Sequence, residues 1–431
     1  MKLETLRNKN YCASIVKIEN IIPLEGCDNI QATLIFGNSV IVSKDCKVGD
    51  IGIFFPIECS IKPIFLSANN LYRDKTLNVD KEKSGFFELN GRVRCMKLRG
   101  YKSEGFFTPL HSLGIDNPPV NVGDDFDHIN GIMICEKYIV PTKNQGTQGD
   151  KKSKADRKLK RFDRLIDGQF HFHIDTGFLA KELHKIKPED IISISEKIHG
   201  TSAIASYILC NKKLSWGNKI AKKLGCNIKD TEYDYVYSSR KVIKNRYINP
   251  NAGSFYNEDI WKTGFEEIKP FLQKGMTIYF EICGFLNGGQ AIQKRYDYGC
   301  KSNQHENYVY RITSTNEDGK VFEWSMLQIQ QWCKANGLKA VPLHYYGYAK
   351  DLYPWLSQHD HWNENFLDEL KKEFLEKDCT ICKNKVPAEG IVLRVENLNI
   401  EPYKLKSFLF KQLETKMIDD GIENIEDNQE I

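Results

Sequence analysis

The stretch ISISEKIHGTS, residues 192–202, alternates isoleucine with serine and then runs into Glu196-Lys197 and a His199-Gly200-Thr201 turn. Alternation at period two marks a strand with one buried face. Gly200 lets the chain reverse there, so Lys197 is presented at a strand end beside a cleft. A lysine nucleophile must first lose its proton, which neighbouring positive charge, a metal or desolvation favours. A strand-end lysine alone is ordinarily a solvated charge, so its meaning depends on what else the chain supplies.

The chain supplies suitable companions. In EPYKLKS (401–407) alternation places Lys404 and Lys406 on one face and Tyr403 and Leu405 on the other. Two same-face lysines make a point-charge clamp for phosphate and lower the proton affinity of a third amine nearby. In IYFEICG (278–284) Phe280 and Ile282 flank Glu281, aiming one carboxylate away from an apolar face. In VPAEGIVLRV (386–395) Glu389 opens a nearly continuous aliphatic strand, and a carboxylate at such an end suits a hard divalent cation. Each group taken singly reads more readily as a salt-bridged surface residue.

Upstream, CASIVKI (12–18), IQATLIF (30–36), SVIVSKD (39–45) and DIGIFFPI (50–57) are short β-branched runs separated by Gly, Asn and Pro. This spacing predicts a small antiparallel barrel over residues 1–125, with an OB-like β-barrel, an SH3-like barrel or a small sandwich compatible with it. Arg92, Arg94, Lys97, Arg99 and Lys102 crowd one extended stretch of it, either as a polynucleotide-facing patch or as partners of local carboxylates. Residues 126–165 read as a linker ending in a basic run, Lys151 to Arg164. Residues 166–412 mix strands with two helix-period segments, FEWSMLQIQQWCKANG (322–337) and WNENFLDELKKEFLEK (362–377), and form a larger α+β domain. The acidic stretch 413–431 is expected to be a disordered tail.

Composition narrows the class. The chain has 431 residues, with 61 Lys+Arg against 57 Asp+Glu, a net charge of +4 that does not by itself announce a nucleic-acid partner. Hydrophobic content of 41% and charged content of 27% suit a globular chain. No apolar run approaches the roughly 18 residues of a membrane span, and the lysine-broken N-terminus does not resemble a secretory signal. Thirteen scattered cysteines read as reduced thiols of an intracellular, cytoplasmic or nuclear protein. Neither GxxxxGK[ST] nor GxGxxG opening a helix is present, so a P-loop or Rossmann site is not expected. Cys379 and Cys382 form a lone CxxC without the second ligand pair that structural zinc requires.

Taken together, EKIHGT (196–201), SSRK (238–241), FEICG (280–284), NYVYRIT (307–313), AEGIVLR (388–394) and YKLKS (403–407) resemble, in order, the motifs of the covalent nucleotidyltransferases. The specific likeness is to ATP-dependent RNA ligases of the RNA ligase 2-like group, which AIQKRYDYG (291–299) also resembles. LRGYKSEGFF (98–107) and GQFHFHIDTGFL (168–179) are similar to ligases that place an OB domain first. The resemblance implies an N-terminal OB domain followed by an α+β adenylyltransferase domain of the DNA ligase and mRNA capping type. It implies Lys197 as the nucleophile that takes AMP from ATP, with Glu196, His199, Arg240, Glu281, Tyr310, Lys404 and Lys406 around the nucleotide. Tyr310 would stack on adenine, and Glu389 would hold Mg2+ or Mn2+. RNA with 3′-OH and 5′-phosphate ends, alone or hybridised to DNA, would be the substrate of a monomer, gripped at Arg92, Arg94, Lys97, Arg99 and Lys102. A GTP-dependent capping enzyme, a DNA ligase and a catalytically silent nucleic-acid-binding relic are the alternatives. One departure is Ser202, where the phage RNA ligase 2 pattern carries Asn.

Overall fold

The computed structural model describes residues 1–115, 118–140, 164–244, 258–358, 360–397 and 400–421. The basic run expected at 151–164 lies outside the described residues except for Arg164, and the acidic residues after 421 lie outside them altogether.

The N-terminal unit contains β1 (Ala13–Lys17), β2 (Ile30–Ile35), β3 (Asn38–Ser43), β4 (Ile51–Pro56), β5 (Cys59–Ile61), β6 (Gly105–Pro109), β7 (Asp125–Phe126) and β8 (Cys135–Lys137). Its main sheet runs β7-β1-β4-β6, all antiparallel, and β2-β3 is a hairpin. Ala13, Ile15, Ile53, Phe55 and Phe126 fill one core, and Val16, Val40, Val42, Phe54 and Phe107 another. The division expected at residue 125 falls inside this unit: β7 pairs with β1, and β8 pairs with β5. Barrel strands therefore continue to Lys137, because these late segments supply the edge hydrogen bonds that β1 and β5 otherwise lack.

The second unit holds β9 (Gly177–Phe178), β10 (Ile191–Glu196), β11 (Thr201–Asn211), α1 (Trp216–Lys223), β12 (Thr231–Ser239), α2 (Ile260–Ile268), β13 (Met276–Gly284) and β14 (His305–Thr315). It continues through α3 (Met326–Ala335), β15 (Leu343–Tyr348), α4 (Trp362–Phe374), β16 (Gly390–Val395), β17 (Glu401–Lys406) and α5 (Phe408–Asp419). One sheet runs β9-β17-β16-β10-β15, and the other is built on β12-β11-β13-β14. Helix α4 buries Phe366, Leu367 and Leu370 against the first sheet, with Ile192, Ile194 and Leu393 facing it. Helices α2 and α3 cover the second through Trp261, Phe265, Met326 and Ile329. The chain crosses from one sheet to the other between β10 and β11, which puts Lys197 at that crossing.

The chain beyond 412 does not leave the fold as expected. Ser407 caps α5, its hydroxyl accepting from the Phe410 N–H and satisfying a donor that the first helical turn leaves open. Phe410 is buried, Leu413 packs on the same core, and the helix runs to Asp419. Side chains of α5 are instead engaged across the interface between the two units. Thr415 Oγ1 donates to Glu58, Lys411 reaches Glu104 at 2.9 Å, and Asp419 meets Arg92 at 2.8 Å. Lys181 joins Asp125 at 2.6 Å to close the other side of that interface.

Candidate active site

Strand register assembles the site. Glu196 pairs with Ile391 on β16, and Gly390 pairs with Lys406 on β17. The Lys197 N–H then donates to the Gly390 carbonyl at 2.9 Å, and the Ser407 N–H donates to that of Glu389 at 3.0 Å. Three segments remote in sequence are thus stitched side by side. A Cβ at Gly390 would lie 2.1 Å from the Leu405 carbonyl oxygen, so only glycine permits so close a pairing.

At the centre lies Glu389, with only 4% of its surface exposed. Its Oε1 accepts Lys197 Nζ at 2.9 Å and Lys406 Nζ at 3.2 Å, while His199 Nδ1 stands 3.6 Å from Oε2. Burial pushes this carboxyl up, but Lys197, Lys406 and His199 outweigh it and hold it at about 2. Burial also works against the charge on Lys406, yet Glu414 and Glu389 raise its proton affinity. Burial lowers that of His199. Lys404 bears the opposite balance: burial first, then Lys406, Lys197, Arg240 and Lys137, bring it down to about 7. Its ammonium sits 4.5 Å over the Phe178 ring.

Lys197 borders two cavities. One lies between the sheets and is lined by Ile198, Met326, Val341, Val392 and Tyr310, with Glu196, Glu281 and Arg394 at its polar edge. The other opens toward the barrel, between Lys404, Lys406 and Lys411 of the second unit and Asn8, Asn10, Tyr11 and Lys137 of the first, with Lys137 lying over the Tyr11 ring. Arg240 and Glu281 border both. The first suits a flat apolar group, and the second suits a polyanion.

The other expected residues fall as follows. Glu281 lies opposite Ser202 in the β11–β13 ladder and accepts the Ser202 hydroxyl at 2.7 Å. Arg240 reaches Asp175 at 3.2 Å. Tyr310 has its hydroxyl bonded to His173, the two rings stacked at 26°. Burial raises the Glu196 carboxyl, which accepts from the Cys379 thiol at 3.9 Å. That contact accounts for half of the CxxC, and the thirteen cysteines, all among the described residues, form no disulfide. The turn at Gly200 has a different cause from the one expected. No left-handed φ occurs there, and a Cβ would meet the Ile282 carbonyl oxygen at 2.6 Å and Cys283 Sγ at 2.7 Å. Glycine is required by crowding.

The basic barrel patch does not stay together. Arg92 is sealed inside the interface, bidentate to Glu58 at 2.8 and 3.0 Å and bonded to Asp419, so it is not available to a polynucleotide. Arg94 also reaches Asp419, at 3.4 Å. Lys102 lies 4.0 Å from Glu376 and over the Phe408 ring, whereas Lys97 and Arg99 face solvent. The residues missed by sequence reasoning are Glu414 and Asp175. Glu414 was hidden in an acidic tail, although Ser407 followed by Phe410, Leu413 and Met417 carries a helix start and period.

Whether the site suits a divalent cation is decided by its donors. Among the described residues no three His, Cys, Asp or Glu side chains converge as a ready cage. Glu389 Oε2, however, is buried and accepts no hydrogen bond among the described residues. One such carboxylate oxygen, with water and phosphate oxygens completing the shell, fits the way Mg2+ is usually held.

Comparison with known proteins agrees with this architecture. A search of curated proteins finds no match. An OB-fold domain model matches residues 12–110, within the barrel unit. Solved structures of the Naegleria gruberi RNA ligase share the fold over nearly the whole chain. One variant with AMP and Mn aligns at TM-score 0.58 and 16% identity, covering 94% of this chain and 99% of that one. Another with ATP and Mn aligns at TM-score 0.59 and 17% identity, over 94% and 99%. No helix among the described residues is long and apolar enough to cross a membrane. The RNA ligase family model matches residues 190–411, more than half of the chain and all the strands that converge on Lys197, and the chain belongs to the RNA ligase family.

Proposed function

We propose that this RNA ligase uses ATP to join 3′-OH and 5′-phosphate ends through lysyl-AMP and 5′-adenylated RNA, in nick sealing or RNA repair. The observation that carries the reading is the place of Lys197, at the junction of an apolar cavity with a lysine-lined one. Such a junction would hold adenine on one side and the phosphate chain on the other, with the α-phosphorus before Nζ. The Naegleria enzyme, solved with ATP and Mn, supports the nucleotide and metal assignments by analogy.

In the first step the Lys197 amine, having passed its proton to solvent water, attacks the α-phosphorus, and the bond to pyrophosphate breaks as the N–P bond forms. Glu389, held at about 2, keeps its charge and therefore orients the amine rather than storing its proton. Lys404 and Lys406 face the phosphate oxygens where negative charge gathers. Tyr310 and Ile198 flank the base, Glu196 and Glu281 accept from its amine and from the ribose hydroxyls, and Arg240 and His199 contact the nucleotide phosphates. A divalent cation on Glu389 would supply charge neutralisation at those oxygens. In the second step the RNA 5′-phosphate attacks lysyl-AMP and releases the lysine. In the third the 3′-OH attacks that phosphate and expels AMP. Arg94, Lys97, Arg99 and Lys102 are the barrel residues proposed to touch RNA, with Arg92 withdrawn from the set. Cysteines held outside disulfides support an intracellular site of action for what we take to be a monomer.

The test is incubation with α-labelled ATP or GTP and Mg2+ or Mn2+, followed by a denaturing gel, for wild type and Lys197→Ala. Label from ATP, lost in the variant, is expected. Label from GTP alone would make the chain a capping enzyme, and no label from folded protein would leave a silent nucleic-acid-binding relic.

A further inference from the structure

Helix α1 contributes nothing to either core. It stands on the loop joining β11 to β12, and none of its residues is buried. Trp216 is 80% exposed and Leu224 78%, and Ile220 lies between them at four-residue spacing. An eight-residue helix is marginal in water without tertiary packing, and this one shows its apolar stripe to solvent. Lys219, Lys222 and Lys223 occupy the adjoining arc. From Lys212 to Lys229 the chain has six lysines and no acidic residue. Lys222 forms an ion pair with Asp230, just beyond that run, and both partners are about half exposed.

We infer that α1 is a docking point for the RNA arm remote from the break, with its lysines on the phosphates and Trp216 against a ribose or base face. The inference rests on the RNA ligase reading above. Charge complementarity selects the occupant: a run of lysines without acids fits a polyanion, and an exposed indole beside lysines is a stacking platform. The placement fits as well. β11 begins at Thr201, four residues after Lys197, and β12 ends at Ser239, next to Arg240. The two pair without interruption from Ala203–Ser239 to Asn211–Thr231, so the tip is held rigidly away from the chemistry. Ten residue steps at about 3.3 Å put it about 33 Å from Thr201, or roughly one turn of an A-form RNA duplex. A membrane surface is the competing partner for a basic amphipathic helix, but α1 is only about 12 Å long.

The experiment compares wild type, Trp216→Ala and the triple variant Lys219→Ala, Lys222→Ala, Lys223→Ala. Binding is measured by fluorescence anisotropy on nicked RNA duplexes with arms of about six or about twenty base pairs, across a salt series. Lysyl-AMP formation, which needs no RNA, shows that each variant is folded. The triple variant should bind the long-armed duplex about tenfold more weakly, with a salt slope shallower by up to about 2.7, and bind the short-armed duplex as wild type does. Trp216→Ala should weaken long-arm binding without altering the salt slope. Equal binding of both duplexes by all three proteins, or equal loss on both, overturns the inference. So does binding of wild type to anionic phosphatidylserine vesicles that Trp216→Ala abolishes while RNA binding is unchanged. If wild type takes no label from ATP yet keeps arm-length-dependent binding through α1, the docking inference stands and the ligase reading fails.

Discussion

Replacing Lys404 with methionine should stabilise the protein while disabling its chemistry. Burial and four neighbouring cations bring this lysine from 10.5 to about 7 on folding. At about 1.36 kcal/mol per pH unit, the protonated folded state carries an unfavourable term of up to about 5 kcal/mol. Part of the side chain borders the open cavity and lies over the Phe178 ring. Water and the ring quadrupole offset some of that term, so a gain of about 1–3 kcal/mol is expected. Methionine keeps the length and apolar stem without the charge. The pH dependence follows from linkage. Between about 7 and 10.5 the unfolded chain binds a proton at Lys404 that the folded chain does not, so wild-type stability rises with pH there. The advantage of Lys404→Met is therefore full below about pH 7 and shrinks as pH rises toward 10.5. Urea unfolding of both proteins at about pH 6.5 and about pH 9 measures it, with lysyl-AMP formation recorded in parallel. A variant no more stable than wild type at the lower pH, or a gap that does not narrow at the higher, would refute the electrostatic account of this cluster.

Arg92→Ala removes the partner of the buried Glu58 carboxylate and should cost about 3–5 kcal/mol of stability. RNA affinity per folded molecule should stay at the wild-type level, and the reverse pattern in denaturation and anisotropy would return Arg92 to the RNA surface. Gly200→Ala places a methyl 2.6 Å from the Ile282 carbonyl oxygen and 2.7 Å from Cys283 Sγ. About 1–3 kcal/mol of overpacking and slower labelling by ATP are expected, because the loop that carries Lys197 must shift. Wild-type stability together with wild-type labelling would show that the space exists.

The local chemistry of this protein was written in short segments. Alternation in ISISEK and YKLKS was enough to place Lys197 at a strand end and Lys404 with Lys406 on one face, because the strand period allows no other arrangement. The order of the motifs resembles that of the RNA ligases without reference to any contact. The sequence could not say which charges would meet. Lys404 and Lys406 sit two residues apart, yet one loses proton affinity and the other gains it. The difference is made by Glu414 and Glu389 beside Lys406, and Glu414 is delivered by a helix that composition marked as a disordered tail. Arg92 and Arg99 read alike as basic patch residues, but only Arg92 finds Glu58 within the barrel and Asp419 across the interface, and disappears from the surface. Periodicity and turn chemistry act over a few residues and are therefore legible in one chain. The partner of a buried charge is chosen by long-range pairing of segments far apart in the chain, and only the tertiary structure settles that choice.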